Sequence, residues 1–443
     1  MSAFAGLRPY QVPHAQKVLR GLLYNKGFLD ASDTGVGKTY TTLCIARIFG
    51  CVPLVLGPKG TRSGWEDASR LMGVPIEFYN YEKARRESYG FGHEKEMFKR
   101  LDPTQPESAE NPALRCGSYW VWDRSFQMVV FDEAHLCGGS TSLTGKLLRS
   151  SRKAADYVLA LSATAADSAE QMKNIGIALG LFNSQGYYTW LRKHGVEEDY
   201  TGRLQWSSDE EKQRAAMAKV HAEVFGTMRG ARLCRRDIPN FPKTQIDTML
   251  LDTDVEFGEQ DPADLAERTA LRQKLEKEIV RQLQSIVKER LDTTDRRITV
   301  FLNFRESIDE FARWAEKKKI PCGIIDGRQV GESGDIERRE VISKIQGNVY
   351  RLGLVNNAAG GAGLNLHDPR GQVVCETFIV PSETGRQMKQ VVGRVHRDGG
   401  AFSMQWFCGL RGTFQETNLR TNQAKIRNID TLNGDVLDTM KFY

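Results

Sequence analysis

Two series of short apolar runs separated by helical stretches constrain the fold of this chain more than any other feature. The runs of the first half are residues 27–31, 53–56, 128–131 and 157–161, and those of the second half are residues 298–302, 322–325, 352–355 and 376–380. Short apolar runs that alternate with helices are typical of βαβ units with buried parallel strands. The sequence therefore predicts an α/β fold with two lobes, each built on a parallel sheet.

Size and composition exclude several classes of protein. At roughly 150 residues per domain, a chain of 443 residues is expected to form two or three domains. A hydrophobic content of 40% and a charged content of 27% exclude a chain that is mainly disordered. No apolar run approaches the roughly 20 residues of a membrane helix. The start of the chain also lacks the apolar core of a cleavable signal. We therefore expect a protein that is neither embedded in a membrane nor secreted.

The charge balance bears on the kind of partner, and the cysteines bear on zinc binding and on the redox compartment. Lys and Arg number 62 and Asp and Glu number 56, so the net charge of +6 permits a polyanionic partner without requiring one. The eight cysteines include no CxxC pair, so their spacing does not indicate a zinc site. Several cysteines stand in apolar runs, which predicts small buried side chains in a reducing compartment.

Residues 32–39 (SDTGVGKT) form the strongest single motif, because a predicted strand precedes them and a predicted helix over 40–48 follows. Gly35 and Gly37 let the backbone curl so that its N–H groups face an anion, to which the helix adds its positive end. Lys38 is expected to reach the β and γ phosphates of a nucleotide, and the Thr39 hydroxyl is expected to bind Mg²⁺. The usual pattern has glycine at position 32, where this chain has serine.

An acidic box, residues 132–135 (DEAH), follows the apolar run 128–131. A buried strand that delivers carboxylates to its C-terminal end places them where open α/β sheets bind ligands. We expect Asp132 to hold Mg²⁺ through water and Glu133 to orient and deprotonate an attacking water. The hydroxyls of Ser162 and Thr164, after the next apolar run, are expected to hydrogen-bond this box.

Two further motifs follow strands of the second lobe. Residues 356–366 (NNAAGGAGLNL) are rich in glycine, which predicts either a close backbone approach to phosphate or a strained structural turn. Continued as a helix, residues 387–397 (QMKQVVGRVHR) place Gln390, Arg394 and Arg397 on one face at i, i+4 and i+7. Guanidinium groups there suit a spreading phosphate charge, and the alternative is a solvated basic face.

Three segments do not follow the alternation of apolar runs and helices seen in the two lobes. Apolar residues recur at helical spacing over 271–291, which favours an amphipathic helix packed on its own lobe over a partner-binding coil. A polar helical stretch runs over 207–224. Residues 101–117 contain three prolines and are predicted to form an exposed loop.

Taken in order, the motifs resemble those of the superfamily 2 helicase and translocase ATPases. Residues 7–11 (LRPYQ) resemble the opening motif whose glutamine reads adenine. The first half of the chain also has segments that resemble motif I (32–39), motif Ia (57–59 with Trp65), motif Ib (79–83), motif II in its DEAH form (132–135) and motif III (162–164). The second half has segments that resemble motif IV (301–305), motif V (357–366) and motif VI (390–397). Trp65 is either a nucleic-acid contact or a core residue.

Further details resemble the Swi/Snf-type ATPases, especially their annealing-helicase branch, in a compact form. These are residues 393–397 (GRVHR), the arginine-rich crossover at 233–243, residues 324–327 (IIDG) and the glycine-rich string. Residues 34–39 (TGVGKT) and 162–165 (SATA) depart from that group, which usually has MGLGKT and SGTP there. The chain also lacks room for the large accessory domains of chromatin remodellers.

The resemblance implies two tandem RecA-like lobes with parallel sheets and helical insertions. We expect lobe 1 over 1–240 with a helical insertion over about 182–232, a crossover and charged helical segment over 241–297, and lobe 2 over 298–443. The expected catalytic residues are Glu133, Lys38, Arg394, Arg397 and Gln390; the expected nucleotide-binding residues are Gln11, Thr34, Gly35, Val36, Gly37, Lys38, Thr39, Tyr40 and Gly363. The expected metal ligands are Thr39 and Asp132, and the expected nucleic-acid contacts are Lys59, Asn80, Arg305 and Ala358.

The function that the resemblance implies is an ATP- and Mg²⁺-dependent motor that translocates on double-stranded or branched DNA and remodels or reanneals it. A strand-separating or branch-migrating helicase is the first alternative, an RNA-directed role is weaker, and a non-enzymatic scaffold is weaker still. We expect a monomer that contacts protein partners, if any, through its helical insertions and that resides wherever DNA is, in the cytoplasm, nucleoid or nucleus, or in the host cell of a virus.

Overall fold

The computed structural model describes residues 3–86, 89–100, 113–198, 204–255, 264–329, 331–360, 364–382 and 385–433. The chain divides into two compact units, the first formed by Met1–Ser32 with Gly37–Leu233 and the second by Asp33–Val36 with Cys234–Tyr443. None of the helices within these described ranges is long and apolar enough to cross a membrane.

The first unit contains eight α-helices and ten strands among its described residues. Its helices are α1 (Gln11–Asn25), α2 (Lys38–Phe49), α3 (Arg62–Met72), α4 (Tyr81–Ala84), α5 (Leu143–Ser150), α6 (Met172–Leu179), α7 (Tyr187–Lys193) and α8 (Glu210–Phe225). Its strands are β1 (Gly27–Asp30), β2 (Leu54–Gly57), β3 (Glu77–Asn80), β4 (Gly92–Arg100), β5 (Ala113–Trp122), β6 (Phe126–Asp132), β7 (Ala155–Leu161), β8 (Val196–Glu198), β9 (Leu204–Trp206) and β10 (Gly230–Ala231).

Six strands of the first unit form one parallel sheet in the order β10-β1-β7-β6-β2-β3. The four central strands are the apolar runs that the sequence predicts, and β1 and β2 are buried at every residue. Their continuous apolar character follows from helices covering both faces of the sheet. Core residues on α1, α2 and α3 include Val18, Leu43 and Trp65. The prediction of a parallel-sheet α/β lobe is confirmed here.

Two antiparallel two-stranded sheets are separate from this sheet. One pairs β4 with β5 and the other pairs β8 with β9. The predicted exposed loop over 101–117 is wrong at its end, since residues 113–117 belong to β5. Their strand state depends on pairing with β4, which the prolines in this segment do not indicate. Residues 101–112 lie outside the described residues.

The second unit contains six α-helices and six strands among its described residues. Its helices are α9 (Leu265–Thr293), α10 (Arg305–Lys317), α11 (Gly331–Gln346), α12 (Asn357–Gly360), α13 (Gly385–Val392) and α14 (Phe414–Asn433). Its strands are β11 (Thr244–Leu251), β12 (Arg297–Leu302), β13 (Cys322–Ile325), β14 (Leu352–Asn356), β15 (Cys375–Ile379) and β16 (Ser403–Leu410).

The strands of the second unit form a parallel sheet in the order β11-β16-β15-β12-β14-β13. The unit begins earlier than the predicted boundary at 298, and residues 241–297 are not a separate crossover segment. Strand β11 pairs with β16 over its full length, and α9 buries Leu275, Ile279 and Leu283 in the core of this unit. The predicted amphipathic helix is thus confirmed, together with its packing on its own lobe.

A buried carboxylate ties α9 to the carboxyl end of β12. Glu276 is 1% exposed, and its oxygens accept hydrogen bonds from the backbone N–H groups of Asn303 and Phe304 and from the Asn303 amide, at 2.9–3.1 Å. These N–H groups precede the first turn of α10, so Glu276 satisfies donors that the helix start leaves without an intrahelical partner. Burial raises the pKa of Glu276, and these hydrogen bonds oppose that rise.

Replacing Glu276 by alanine is expected to lower the free energy of unfolding of the second unit by about 3 kcal/mol, because buried N–H groups lose a charged acceptor. Chemical denaturation measures this loss. Glu289→Ala is the control, since Glu289 lies on the same helix with its side chain 64% exposed. An equal loss in both variants would contradict the capping role.

Candidate functional site

The phosphate loop lies between β1 and α2, as the sequence predicts. Gly35 and Gly37 have φ angles of +86° and +96°, in the region that side chains strongly disfavour. A Cβ atom added at Gly37 would lie 2.1 Å from Nε2 of Gln11, so a side chain at this position cannot be accommodated without a shift. Within the same loop Thr34 and Val36 are buried. This backbone conformation is the one that lets successive N–H groups converge on an anion.

The side chains at the start of α2 are arranged around the loop. The ammonium group of Lys38 donates to the carbonyl oxygen of Ser32 at 2.7 Å, which brings its positive charge back over the loop. Thr39 and Tyr40 stand in the first helical turn and are partly exposed. A lysine, a hydroxyl and a helix N-terminus at one place form a site suited to phosphate groups.

Ser32, which departs from the usual glycine, belongs to a buried network that sequence reasoning missed. Its hydroxyl lies 3.1 Å from Nε2 of His14 and accepts a hydrogen bond from the Leu233 N–H at 2.9 Å. Nε2 of His14 also lies 3.1 Å from the carboxylate of Asp30, which accepts from the Ser32 N–H at 3.0 Å. The interaction with His14 and the charge of Lys38 lower the pKa of Asp30 against the opposing effect of its burial. The Ser32 hydroxyl therefore holds the start of the loop through buried hydrogen bonds.

The acidic box stands at the carboxyl end of β6. Asp132 is the last residue of that strand, and Glu133 follows with a φ of +51°, a strained value for a residue with a side chain. Burial and the neighbouring Glu133 carboxylate raise the pKa of Asp132 to about 6, while hydrogen bonds from Trp65 and Thr61 act in the opposite direction. The charge of Lys38 also lowers this pKa, so the lysine and the carboxylate share one electrostatic environment.

The predicted hydrogen bonds between the acidic box and the segment after β7 are present. Nδ1 of His135 lies 3.0 Å from the Ser162 hydroxyl and 3.5 Å from the Thr164 hydroxyl, and it is 3.5 Å from the Glu133 carboxylate. The Ser162 hydroxyl also accepts from the Thr164 N–H at 3.2 Å. His135 thus connects the proposed base to the residues of motif III.

Trp65 is a core residue, because its ring is 1% exposed and packs in the core of the first unit. Its indole N–H donates to Oδ2 of Asp132 at 2.9 Å. The alternative of a nucleic-acid contact is therefore wrong. Sequence spacing gave no signal for this bond, because 67 residues separate the two partners.

Gln11 begins α1, and its side-chain oxygen accepts from the Arg8 N–H at 2.9 Å. With its amide nitrogen beside Gly37, the side chain lies against the phosphate loop. Its predicted role in reading adenine stays a prediction.

The predicted helical face of motif VI is wrong, because α13 ends at Val392. Gln390 lies on the helix, whereas Arg394 and Arg397 lie in the turns that follow, with three-residue hydrogen bonds from the Gly393 and Arg394 N–H groups. The Leu366 N–H donates to the Arg394 carbonyl oxygen at 2.9 Å, so the segment of motif V holds this turn in place of a helical partner.

The motif VI histidine is held inside the second unit. Nδ1 of His396 lies 3.0 Å from the Arg235 guanidinium, and Nε2 lies 2.6 Å from the Pro242 carbonyl oxygen. Because arginine only donates and a carbonyl oxygen only accepts, the ring is neutral with its proton on Nε2. Burial, then the charge of Arg235, lowers the pKa of His396 to about 4.

The predicted nucleic-acid contacts fall at the ends of strands in each unit. In the first unit Lys59 is exposed after β2, and Asn80 ends β3, where its side chain accepts from the Lys83 N–H at 2.8 Å. In the second unit Arg305 begins α10 and Ala358 lies on α12, both exposed. Asn80 therefore has a structural role as a helix cap besides its predicted one.

Asparagines connect motifs IV and V of the second unit. The Asn357 amide donates to the Asn303 side chain at 2.8 Å and to the Val380 carbonyl oxygen at 2.9 Å. The Asn356 amide donates to the Asn303 backbone at 2.9 Å, and its oxygen accepts from the Ala358 N–H at 3.0 Å. Gly361 and the candidate Gly363 lie outside the described residues.

The residues present fit a magnesium ion bound together with a nucleotide. Over the described residues, no group of three His, Cys, Asp or Glu side chains forms a metal cage of its own. Mg²⁺ commonly binds one or two carboxylates together with substrate phosphates, so Asp132 with the Thr39 hydroxyl supplies a suitable set of donors. A cation would also relieve the cost of desolvating the Asp132 carboxylate.

The chain is similar in sequence to a helicase domain family and to a protein named as a helicase. The model of the helicase conserved C-terminal domain family matches residues 278–399. A protein of Acanthamoeba polyphaga mimivirus, named "Putative ATP-dependent RNA helicase L364", is 25% identical over 462 residues, covering 99% of this chain and 85% of that protein. The chain is thus similar over nearly its whole length to a protein named as a helicase, and residues 278–399 match a helicase domain family.

Solved structures similar to this chain have low sequence identity to it. The Sulfolobus solfataricus SWI2/SNF2 ATPase core in complex with dsDNA is 16% identical with a TM-score of 0.39, covering 91% of this chain and 88% of that chain. S. cerevisiae Dbp5 bound to RNA and ADP BeF3 is 11% identical with a TM-score of 0.49, covering 99% and 94%. The six-stranded parallel sheet in each unit confirms the prediction of two α/β lobes with parallel sheets.

Gly37→Ala is expected to weaken ATP binding by about tenfold or more, because a Cβ strains the loop and displaces Gln11. Gly50→Ala is the matched control, since Gly50 ends the same helix with a φ of +65° and has no atom within 4 Å of an added Cβ. Titration with a fluorescent ATP analogue measures the difference. Unchanged affinity in Gly37→Ala would show that the loop does not hold the phosphates.

Acid is expected to destabilise the second unit through two buried histidines. The pKa of His396 and that of His367 are both lowered from 6.5 to about 4, mainly by burial. An unfolded chain takes up these protons near pH 6.5, so stability is lost as pH falls from 6.5 to 4. From pH 7 to pH 5 each histidine is expected to cost about 2 kcal/mol.

Denaturation of His396→Gln at both pH values tests this expectation, because the variant is predicted to lose less stability on acidification than the unsubstituted protein. His221→Gln, in the first unit, is the control. The same pH dependence in all three proteins would contradict the assignment.

Proposed function

We propose that this protein is an ATP-hydrolysing motor that acts on nucleic acid. The observation that carries the proposal is the placement of motifs I and II at one edge of the first sheet. The phosphate loop follows β1, the acidic box follows β6, and the charge of Lys38 acts on Asp132. Strand ends at this edge are where open α/β sheets bind their ligands.

In the proposed mechanism the loop around Gly35 and Gly37 binds the phosphates, and Lys38 neutralises their charge. Asp132 and the Thr39 hydroxyl hold Mg²⁺, which when bound neutralises charge on the β and γ phosphates. Glu133 accepts a proton from the attacking water. Its left-handed backbone and its proximity to His135 fix the direction of that carboxylate.

The second unit is proposed to supply Arg394 and Arg397 to the transferring phosphate. Planar guanidinium groups suit the charge that spreads over its oxygens. Gln390, on the preceding helix, is assigned to the same motif. Gating of hydrolysis by movement of the second unit follows from the family resemblance and belongs to this proposal.

Duplex or branched DNA is the proposed substrate, on which the motor translocates without long-range strand separation. Residues 393–397 and the crossover at 233–243 support this choice through their resemblance to the Swi/Snf-type ATPases. The contact between Arg235 and His396 joins these two segments within the second unit. Lys59, Asn80, Arg305 and Ala358 are the proposed contacts, which would be mainly to phosphate and therefore sensitive to salt.

RNA is the second candidate substrate, favoured by the name of the mimivirus relative. A strand-separating or branch-migrating DNA helicase is the third, favoured by the general form of residues 162–165. A non-enzymatic scaffold is disfavoured, because Lys38, Asp132 and Glu133 are all retained.

Steady-state ATP hydrolysis with no nucleic acid, single-stranded DNA, duplex DNA, forked DNA and RNA separates these candidates. We expect strong stimulation by duplex or forked DNA. Lys38→Ala is expected to abolish hydrolysis, and Glu133→Gln to lower kcat by about 10²–10⁴-fold while ATP still binds, because the base is lost but the charge of Asp132 remains. Glu211→Gln, at an exposed position on α8, is the control.

Other outcomes of this experiment would redirect the proposal. Stimulation by RNA alone would make RNA the substrate, and stimulation by single-stranded DNA alone would favour the strand-separating helicase. Full hydrolysis by Glu133→Gln would show that another group is the base. No hydrolysis under any condition would contradict an autonomous motor.

A further inference from the structure

Two aromatic side chains hold Asp132 from the segments proposed to contact nucleic acid. The Trp65 indole N–H donates to Oδ2 of Asp132 at 2.9 Å, and the Tyr81 hydroxyl donates to the backbone oxygen of the same residue at 2.7 Å. Oδ1 accepts from the Glu133 N–H at 3.1 Å. Both carboxylate oxygens and the carbonyl oxygen therefore have fixed donors, which restricts the carboxylate to one orientation.

These donors belong to the two segments that carry proposed nucleic-acid contacts in the first unit. Trp65 lies on α3, which begins directly after the turn at Lys59–Thr61. Tyr81 is the first residue of α4 and follows Asn80, which caps that helix. Each aromatic residue is thus linked to a proposed contact through one short, hydrogen-bonded stretch of backbone.

Both side chains are packed tightly enough to transmit a displacement. Trp65 is 1% exposed and Tyr81 is 7% exposed. Close packing prevents these rings from moving independently of the backbone that carries them. A shift of α3 or of the start of α4 would therefore move the donor relative to Asp132, and hydrogen bonds weaken steeply with misalignment.

We propose that Trp65 and Tyr81 are positioning residues that couple nucleic-acid binding at motifs Ia and Ib to the orientation of the Asp132 carboxylate. Nucleic acid that seats against these segments aligns the two donors, and the aligned carboxylate holds Mg²⁺ in the productive geometry. The coupling rests on the proposed function, since it assumes that nucleic acid stimulates hydrolysis. The orientation of Asp132 by Trp65 does not depend on that assumption.

Tyr81→Phe removes the hydroxyl donor and retains the ring, whereas Trp65→Phe removes the indole donor and leaves a smaller aromatic ring. The first unit offers matched controls outside the site. The Trp190 indole donates to the Glu223 carboxylate at 2.6 Å, and the Tyr187 hydroxyl donates to the Glu170 carbonyl oxygen at 2.9 Å. Trp190 and Tyr187 are 6% and 5% exposed, so Trp190→Phe and Tyr187→Phe remove equivalent bonds at similar burial.

Three quantities are measured for the full chain and each variant: ATP hydrolysis with and without the most stimulating nucleic acid, the Mg²⁺ concentration for half-maximal hydrolysis, and nucleic-acid affinity by fluorescence anisotropy. In Trp65→Phe and Tyr81→Phe we expect stimulation to fall by about tenfold and the half-saturating Mg²⁺ concentration to rise severalfold. Nucleic-acid affinity is expected to stay within about threefold, and both controls to behave like the unsubstituted protein.

The result that overturns the proposal is normal stimulation and normal Mg²⁺ dependence in both site variants. A parallel loss of nucleic-acid affinity would also overturn it, by making the two residues part of the binding surface. If nucleic acid does not stimulate even the unsubstituted protein, the proposed function and the coupling fail together, and the Mg²⁺ dependence of basal hydrolysis still decides whether Trp65 orients Asp132. Thermal melting monitors folding, and Tyr81→Phe, which removes a single oxygen, carries the test if Trp65→Phe does not fold.

Discussion

The pairing of β6 between β2 and β7 is the constraint on which the candidate site depends. Phe131 is in register with Leu56 on one side and with Ala160 on the other. A slip of one residue would move every side chain of β6 to the opposite face of the sheet, where the packing does not match it, so the close-packed core fixes this register. Asp132 therefore leaves the sheet where β1, β2 and β7 also end, and polar groups from several segments meet there.

The polar contacts at that edge stabilise the site because the Asp132 carboxylate is partly removed from water there. A half-buried carboxylate next to a second one is costly, and the raised pKa of Asp132 reflects this cost. The donors from Trp65 and Thr61 and the charge of Lys38 offset part of it. The same principle operates in the second unit, where the buried Glu276 is satisfied by donors at the start of α10. The candidate ion and nucleotide sites thus lie at strand ends whose polar groups need hydrogen-bond or ionic partners.

Much of the fold and of the first site was predictable from local pattern. The apolar runs locate the four central strands of the first sheet and four of the six strands of the second, β12 to β15, because buried parallel strands require continuous apolar residues. Motifs I and II each combine a strand end with polar residues, so their positions follow from the strands. The predictions failed where distant residues decide the outcome. Strand β5 exists through pairing with β4, β11 joins the second unit by pairing with β16, and the turn at Arg394 is held by Leu366.

The sequence by itself determined the two α/β lobes, the phosphate loop and the acidic box, because each is encoded by neighbouring residues whose spacing carries the signal. Only the tertiary structure decided that Ser32 forms a hydrogen-bond network with His14 and Asp30, and that the Trp65 indole donates to Asp132. These contacts join residues far apart in the chain through side chains whose directions depend on packing. The sequence shows which side chains are present, whereas the packing of the core determines which of them come into contact.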